Sequence, residues 1–389
     1  MFVNSSAVHR PAAEWGAYAA SKAALKALAD SLRGNLLLPG NPGYDVARRV
    51  LNPSIDKHPA LIVQPSGAAD VSSAVTFARE HDLLVAVKCG GHSFSGKSTC
   101  DGGMQIDLSS YRNARINAES RTAYIAGGSL LGELDHESMA HGLVTTAGTV
   151  SHTGVGGLTL GGGFGRLARK YGLALDNVTG VDIVTADGRL RHASATENPD
   201  LYWAVRGGGG NFGVVTTFQF KLHPHERTVI GGDVIYPLSD LPGVLAFYAD
   251  YAVSAPDELY LDFFCASEPG TEEGVCGIHA CWSGAPSAAE KVLAPIYQAG
   301  TVINDGIGAT DYVAIQRSWD NTDPRNDAEY FKSGFINDFP DDLLDKVIAR
   351  HQVQIQALLL KNGTAFRFQP PVRVEGGNIA APGDKGHLQ

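Results

Sequence analysis

The sequence predicts an α+β protein built in two successive parts. Three observations carry that prediction. Glycine is abundant, 46 of 389 residues, and it clusters at Gly90-Gly91, Gly154 to Gly165 and Gly207 to Gly213. A strand–helix–strand pattern leads into the first cluster. Beyond residue 227, helical and strand-like runs mix in the manner of helices laid over an antiparallel sheet.

The elements follow in order. Residues 1–34 form a short lead-in and a helix, in which Ala20, Ala23, Leu25, Leu28 and Leu32 keep helical spacing. Leu36-Leu37-Leu38-Pro39-Gly40-Asn41-Pro42-Gly43 is a turn-rich junction. The next part spans residues 35–226. In it Ala60-Leu61-Ile62-Val63 reads as a buried strand, and Pro65-Ser66-Gly67 breaks it. Ala68 to Glu80 suits a helix with Val71, Ala74, Val75 and Ala78 on one face, and Leu83 to Val87 is a second short strand. Val181 to Thr185 and Leu190 to Ala193 flank Ala186-Asp187-Gly188, a hairpin turn. The last part, residues 227–389, opens on strand-like Val229-Ile230 and Val234-Ile235-Tyr236. It continues with helices at Leu241 to Tyr251 and Ala288 to Ala294, and strands at Leu259 to Cys265 and Val275 to Trp282.

Composition excludes several classes of function. With 31 Lys+Arg against 41 Asp+Glu the formal net charge is −10, a poor balance for gripping phosphate backbones, so no nucleic-acid partner is expected. No apolar run approaches the roughly 20 residues that span a bilayer, so no membrane association is expected. The start, Met1-Phe2-Val3-Asn4-Ser5-Ser6, shows no secretory pattern, and a cytoplasmic location is the default expectation. Five cysteines (Cys89, Cys100, Cys265, Cys276, Cys281) match neither a disulfide framework nor a zinc spacing, so no metal is expected.

Clustered glycine lets backbone approach a ligand where a Cβ would collide. Three such clusters point to one large, elongated cofactor. Gly208-Gly209-Gly210-Asn211-Phe212-Gly213 fits the string of a dinucleotide-binding fingerprint, but that motif opens a helix. Here Val214-Val215-Thr216-Thr217-Phe218-Gln219-Phe220 follows and alternates like a strand, so that reading is rejected.

Val87-Lys88-Cys89-Gly90-Gly91-His92-Ser93-Phe94-Ser95-Gly96 resembles the covalent-histidine loop of the vanillyl-alcohol-oxidase superfamily, berberine-bridge-enzyme-like branch. Gly154 to Gly165 resembles that family's second FAD segment, and Tyr202 to Thr216 its third. The match covers roughly residues 35–370. The resemblance implies a two-part PCMH-type FAD-binding domain (35–226) followed by an α+β substrate domain (227–389). It implies an FAD-dependent oxidoreductase that removes a hydride from a small organic substrate to flavin N5, with reoxidation by O2 or another acceptor. Alcohols, sugars, amines and hydroxy acids all fit; the activity is oxidase-like, with oxidase versus dehydrogenase left open. Gly90, Gly91, Ser93 and Gly96 are placed to turn backbone N–H groups toward a phosphate. The resemblance implies that a nitrogen of His92 bonds the flavin 8α-methyl carbon. It also implies cofactor contacts at Gly148, Thr149, Gly154, Gly157, Gly161, Gly210, Asn211, Gly213 and Val215, the last near the adenine. Where many relatives carry a second, cysteinyl anchor this chain has Val150, which forms no thioether. The position associated with oxygen access falls near Thr153.

Both ends depart from the family. Val3-Asn4-Ser5-Ser6 and Tyr18-Ala19-Ala20-Ser21-Lys22 resemble the active-site segment of short-chain dehydrogenases. Tyr18 and Lys22 at i, i+4 share a helix face, and an ammonium lowers a phenol's pKa. No dinucleotide-binding unit precedes them, so residues 1–34 read as a fused remnant and not as an NAD(P)-dependent enzyme. At the other end the relatives continue with further sheet and helix, whereas this chain runs into a polar tail. That implies truncation, with one wall of the substrate cavity missing, and an alternative function as a flavin binder without turnover. An exposed sheet edge then favours self-association. The catalytic candidates are Tyr330 and Lys332, which alternate onto one face of a strand. Tyr260, Asp262 and His279 are further ionisable candidates.

Overall fold

The computed structural model describes residues 22–267, 274–320, 342–346, 348–349 and 366–368. Tyr18, Tyr330 and Lys332 lie outside the described residues.

The first layer is a four-stranded sheet. Helix α1 (Lys22–Ser31) precedes strand β1 (Asn35–Leu37) and the short helix α2 (Tyr44–Arg48). Strand β2 (Leu61–Gln64), helix α3 (Ala68–Glu80) and strand β3 (Val85–Lys88) form the expected strand–helix–strand unit, and β4 (Met104–Asp107) inserts between the two strands. The order is β1-β2-β4-β3, with β1 antiparallel and the rest parallel. Helix α3 buries the face carrying Val71, Ala74, Val75 and Ala78. Helix α1 adds Leu28 to the same core, a burial worth about 1.5–3 kcal/mol. Asp70 locks this junction. Its carboxylate accepts from Ser66 N at 2.8 Å, Gly34 N at 2.9 Å and Arg33 N at 3.0 Å. Burial pushes Asp70 up, but those hydrogen bonds outweigh it and hold the carboxyl below its usual range.

The second layer is an antiparallel sheet. Its members are β5 (Ala114–Asn117), β6 (Thr122–Ala126), β8 (Val178–Val184), β9 (Leu190–Ser194) and β10 (Val214–Lys221), in the order β5-β6-β10-β8-β9. Between them come α4 (Leu131–Met139), β7 (Leu143–Val144), α5 (Val155–Leu160), α6 (Ala168–Tyr171) and α7 (Pro199–Val205). The hairpin around Asp187-Gly188 pairs Val184 with Leu190. Strand β10 follows Gly213 directly, as the alternation required. The pair β7 and β11 (His223–Pro224) ties the sheet's exit to α4.

The third layer begins with β12 (Thr228–Pro237) and α8 (Leu241–Ser254), then β13 (Leu259–Ser267) and β14 (Gly274–Trp282). Helix α9 (Ala289–Leu293), strands β15 (Asn304–Asp305) and β16 (Gly308–Asp311), and helix α10 (Tyr312–Gln316) follow. Strand β17 (Phe366–Phe368) pairs with β13. Helix α8 sets Leu241, Val244, Leu245, Tyr248 and Ala252 against the sheet, giving the helix-over-antiparallel-sheet arrangement. The two short strands expected at 229–230 and 234–236 are one strand. Gly231 and Gly232 do not break it, because β14 pairs across them from Ile230 to Pro237. A Cβ at Gly231 would stand 2.6 Å from the Ala280 carbonyl oxygen, so glycine here serves close packing inside the strand.

Candidate functional site

Strand β3 delivers the chain into the loop that carries His92. Gly91 sits in the left-handed region, φ +76°, which reverses the chain. A Cβ on Gly90 would fall 2.4 Å from Gly154 N, and one on Gly154 would fall 2.4 Å from Gly90 N and Cys89 Sγ. The first and second glycine segments therefore touch, backbone to backbone. Ser93 and Gly96 close the loop on itself: Gly96 N donates to Ser93 O at 3.1 Å, and Lys97 N donates to Ser93 Oγ at 2.9 Å. The Gly96 N–H, expected to face an anion, makes this turn instead.

The contact of the two segments brings side chains together at its rim. His92 Nε2 lies 2.7 Å from His152 Nδ1, and Thr153 Oγ1 lies 3.4 Å from His92 Nδ1. His152 Nε2 faces the backbone oxygen of Asp320 at 3.2 Å. The Asp320 carboxylate accepts from Ser151 N at 2.8 Å and Ser151 Oγ at 2.6 Å. Both imidazoles are half-buried. Val150 packs among apolar neighbours near Met139, Val144 and Leu167.

The remaining glycines divide into two groups. Gly127 and Gly213 belong to the frame: their Cβ atoms would stand 2.1 Å from Val215 O and 2.3 Å from Val184 O. Gly156 does the same against Gly127 O at 2.9 Å, so α5, β6 and β10 meet through backbone. Val215 itself is buried opposite Ile183. Gly157 and Gly210 are exposed, and a Cβ on either would meet nothing within 4 Å. Gly161 is exposed as well, and Asn211 Nδ2 donates to Gly208 O at 2.8 Å. These positions fit a long polar cofactor lying on bare backbone.

Gly148 and Thr149 lead inward. Gln316 Nε2 donates to Gly148 O at 3.0 Å, and Arg166 Nη1 donates to Thr149 O at 3.3 Å. Arg166 is 2% exposed and joins the second layer to the third. It also donates to Gln316 Oε1 at 3.0 Å, Ser318 Oγ at 3.2 Å and His279 Nε2 at 3.1 Å, and it stacks on Trp319. A guanidinium only donates, so His279 Nε2 presents its lone pair and Nδ1 carries the proton toward Asp233 at 2.6 Å. Gln316 Nε2 reaches Asp135 at 3.1 Å. Burial pushes the Asp135 carboxyl up to about 7, against the opposing pull of Gln316 and Arg166. Its Oδ1 has no hydrogen-bond partner among the described residues. Tyr260 donates to Asp262 at 3.2 Å beneath this cluster, and both are buried in β13.

The sequence reading therefore missed His152, Arg166, Gln316 and Asp320. His152 stands within a segment already singled out, between Val150 and Thr153, but a lone histidine carries no spacing signal. Arg166 follows the second glycine run directly, and its burial was the missing fact. Among the described residues no group of three His, Cys, Asp or Glu could hold a metal, and no helix is long and apolar enough to cross a membrane.

Two sheets joined by touching glycine segments, followed by a helix-covered antiparallel sheet, present a bare-backbone face that fits a cofactor-binding protein. Residues 59–194 match the model of the FAD binding domain family. An FAD-linked oxidoreductase of Dictyostelium discoideum is 37% identical over 313 residues, 79% of this chain and 67% of that protein. The crystal structure of 6-hydroxy-D-nicotine oxidase from Arthrobacter nicotinovorans superposes with a TM-score of 0.71 at 30% identity, covering 79% of this chain and 66% of that one. A BBE-like protein of Physcomitrella patens shares the fold, with a TM-score of 0.72 at 22% identity over 88% of this chain and 76% of that one. The chain belongs to the FAD-linked oxidoreductases of the vanillyl-alcohol-oxidase superfamily, berberine-bridge-enzyme-like branch. It spans about two thirds of the length of the first two relatives.

Proposed function

We propose that this chain binds FAD along its glycine face, anchors it covalently through His92, and oxidises a small organic substrate. The observation that supports this reading most is the Gly90–Gly154 contact, which sets His92 at the seam of two segments that resemble FAD segments. Gly157 and Gly210 leave room for the cofactor's body, while Gly127, Gly156 and Gly213 hold the strands that back it. When bound, FAD supplies the two-electron acceptor, taking a hydride at N5 and returning the electrons to dioxygen or another acceptor. The residues of the chain do the rest: His92 fixes the ring, and Val150 leaves it singly anchored. Tyr330 and Lys332 are the proposed proton-handling pair on the substrate side. The 6-hydroxynicotine and chitooligosaccharide oxidases among the relatives support an amine or a sugar as the substrate to try first. The reading also places the FAD domain at 35–226 and the substrate domain from 227.

The test is the visible spectrum of the purified protein and its response to substrate. A yellow protein whose flavin bands bleach anaerobically with an amine or an oligosaccharide is the expected result. A colourless protein that takes up no added FAD contradicts the proposal. Retained flavin that no member of a panel of alcohols, sugars, amines and hydroxy acids reduces leaves a binder without turnover.

A further inference from the structure

We propose that His152 is a positioning residue for His92: it fixes the tautomer that directs FAD attachment through His92 Nδ1, and it receives the His92 Nε2 proton. The inference rests on the reading that His92 is the covalent anchor.

One backbone group in this chain of contacts cannot donate and so sets the direction of the rest. The Asp320 backbone oxygen is an acceptor only, so the His152 Nε2 facing it at 3.2 Å carries hydrogen. A neutral imidazole protonated at Nε2 presents its lone pair at Nδ1. That atom lies 2.7 Å from His92 Nε2, which, with His152 neutral, is then the donor and holds the His92 proton. His92 Nδ1 is left with the in-plane lone pair, 3.4 Å from the Thr153 hydroxyl. The relay is anchored at its far end, because the Asp320 carboxylate grips both the backbone and the hydroxyl of Ser151, the residue before His152. The loop 151–153 is further held by Leu131 N on Thr153 O at 2.9 Å and Gly132 N on Ser151 O at 2.8 Å. His152 thus has a fixed place and, when neutral, its hydrogen on Nε2.

Attachment exchanges one methyl C–H bond and the His92 Nε2–H bond for one C–N bond at Nδ1. The methyl hydrogen and the Nε2 hydrogen leave as two protons, the second to His152 Nδ1. Two electrons pass through the flavin ring to dioxygen, which with two protons becomes hydrogen peroxide. Without an acceptor on Nε2, the alkylated imidazole would remain a cation at the protein's seam.

The experiment follows covalent incorporation of FAD into flavin-free protein by acid precipitation, in wild type and His152→Ala. Noncovalent FAD retention on desalting is the control for folding. The expected result is that His152→Ala retains FAD noncovalently but forms the acid-stable link at least about tenfold more slowly, and that added imidazole restores the rate. A His152→Ala rate equal to wild type, with acid-stable flavin in both, overturns this inference and leaves His92 attachment standing. Complete release of flavin from wild type by acid overturns the attachment reading itself. Should His152→Ala fail to retain FAD, the flavin peptide of wild type decides by nitrogen NMR. Alkylation at Nδ1 supports the assignment, and alkylation at Nε2 overturns it.

Discussion

The glycine face and the Arg166 cluster are near neighbours in the chain and are built from opposite materials. On the face, Gly90, Gly127, Gly154 and Gly213 bring backbone against backbone, and the missing side chains create the surface. In the cluster, Arg166, His279, Gln316 and Asp135 fill the space between layers with polar side chains hydrogen-bonded in series, leaving only Asp135 Oδ1 of that carboxyl without a partner among the described residues. A surface made by absence tolerates substitution only where it is open. A buried polar cluster tolerates almost none, because each removed donor leaves acceptors stranded.

That contrast can be broken at several points. Arg166→Met has the largest expected effect. It strips donors from His279 Nε2, Gln316 Oε1 and Thr149 O, each at about 1–3 kcal/mol, so urea unfolding should show a loss of roughly 3 kcal/mol or more. An unchanged midpoint would mean the cluster rearranges freely. Gly154→Ala comes next: its methyl would overlap Gly90 N, and backbone must shift at about 1–3 kcal/mol, with loss of flavin retention.

The Asp135 carboxyl, raised to about 7, gives a third test with a definite sign. Its folded value exceeds its unfolded one, so its contribution is fully present below about pH 4 and is lost as pH rises through about 7. Between pH 5 and 8 wild type should lose roughly 2 kcal/mol relative to Asp135→Asn. Parallel stability curves for the two proteins would refute the assignment. Smallest of all is Gly210→Ala, which meets nothing within 4 Å and has no left-handed φ. Its unfolding should stay within about 0.5 kcal/mol of wild type, while FAD affinity falls if this glycine faces the cofactor.

Legibility followed the same division. The glycine segments, the strand–helix–strand unit around Ala68–Glu80 and the strand after Gly213 were readable because each is a local pattern. Composition, periodicity and turn residues all act within about ten positions. His152 reaches His92 across 60 residues, and Arg166 reaches His279 across 113 and Gln316 across 150. No local pattern marks such partners. The strand-like runs 229–230 and 234–236 proved to be one strand, because Gly231 and Gly232 between them pair with β14 and serve close packing. The Asp70 junction, which joins Arg33 and Gly34 to α3, was likewise invisible until the layers met.

The measurement that reaches the centre of the account compares wild type and His92→Ala after acid denaturation, on a gel viewed for flavin fluorescence. Attachment through His92 predicts a fluorescent wild-type band, a dark His92→Ala band, and a single flavin peptide containing His92 and no cysteine link, since Val150 occupies that position. A fluorescent His92→Ala band would contradict it and move the anchor elsewhere on the chain.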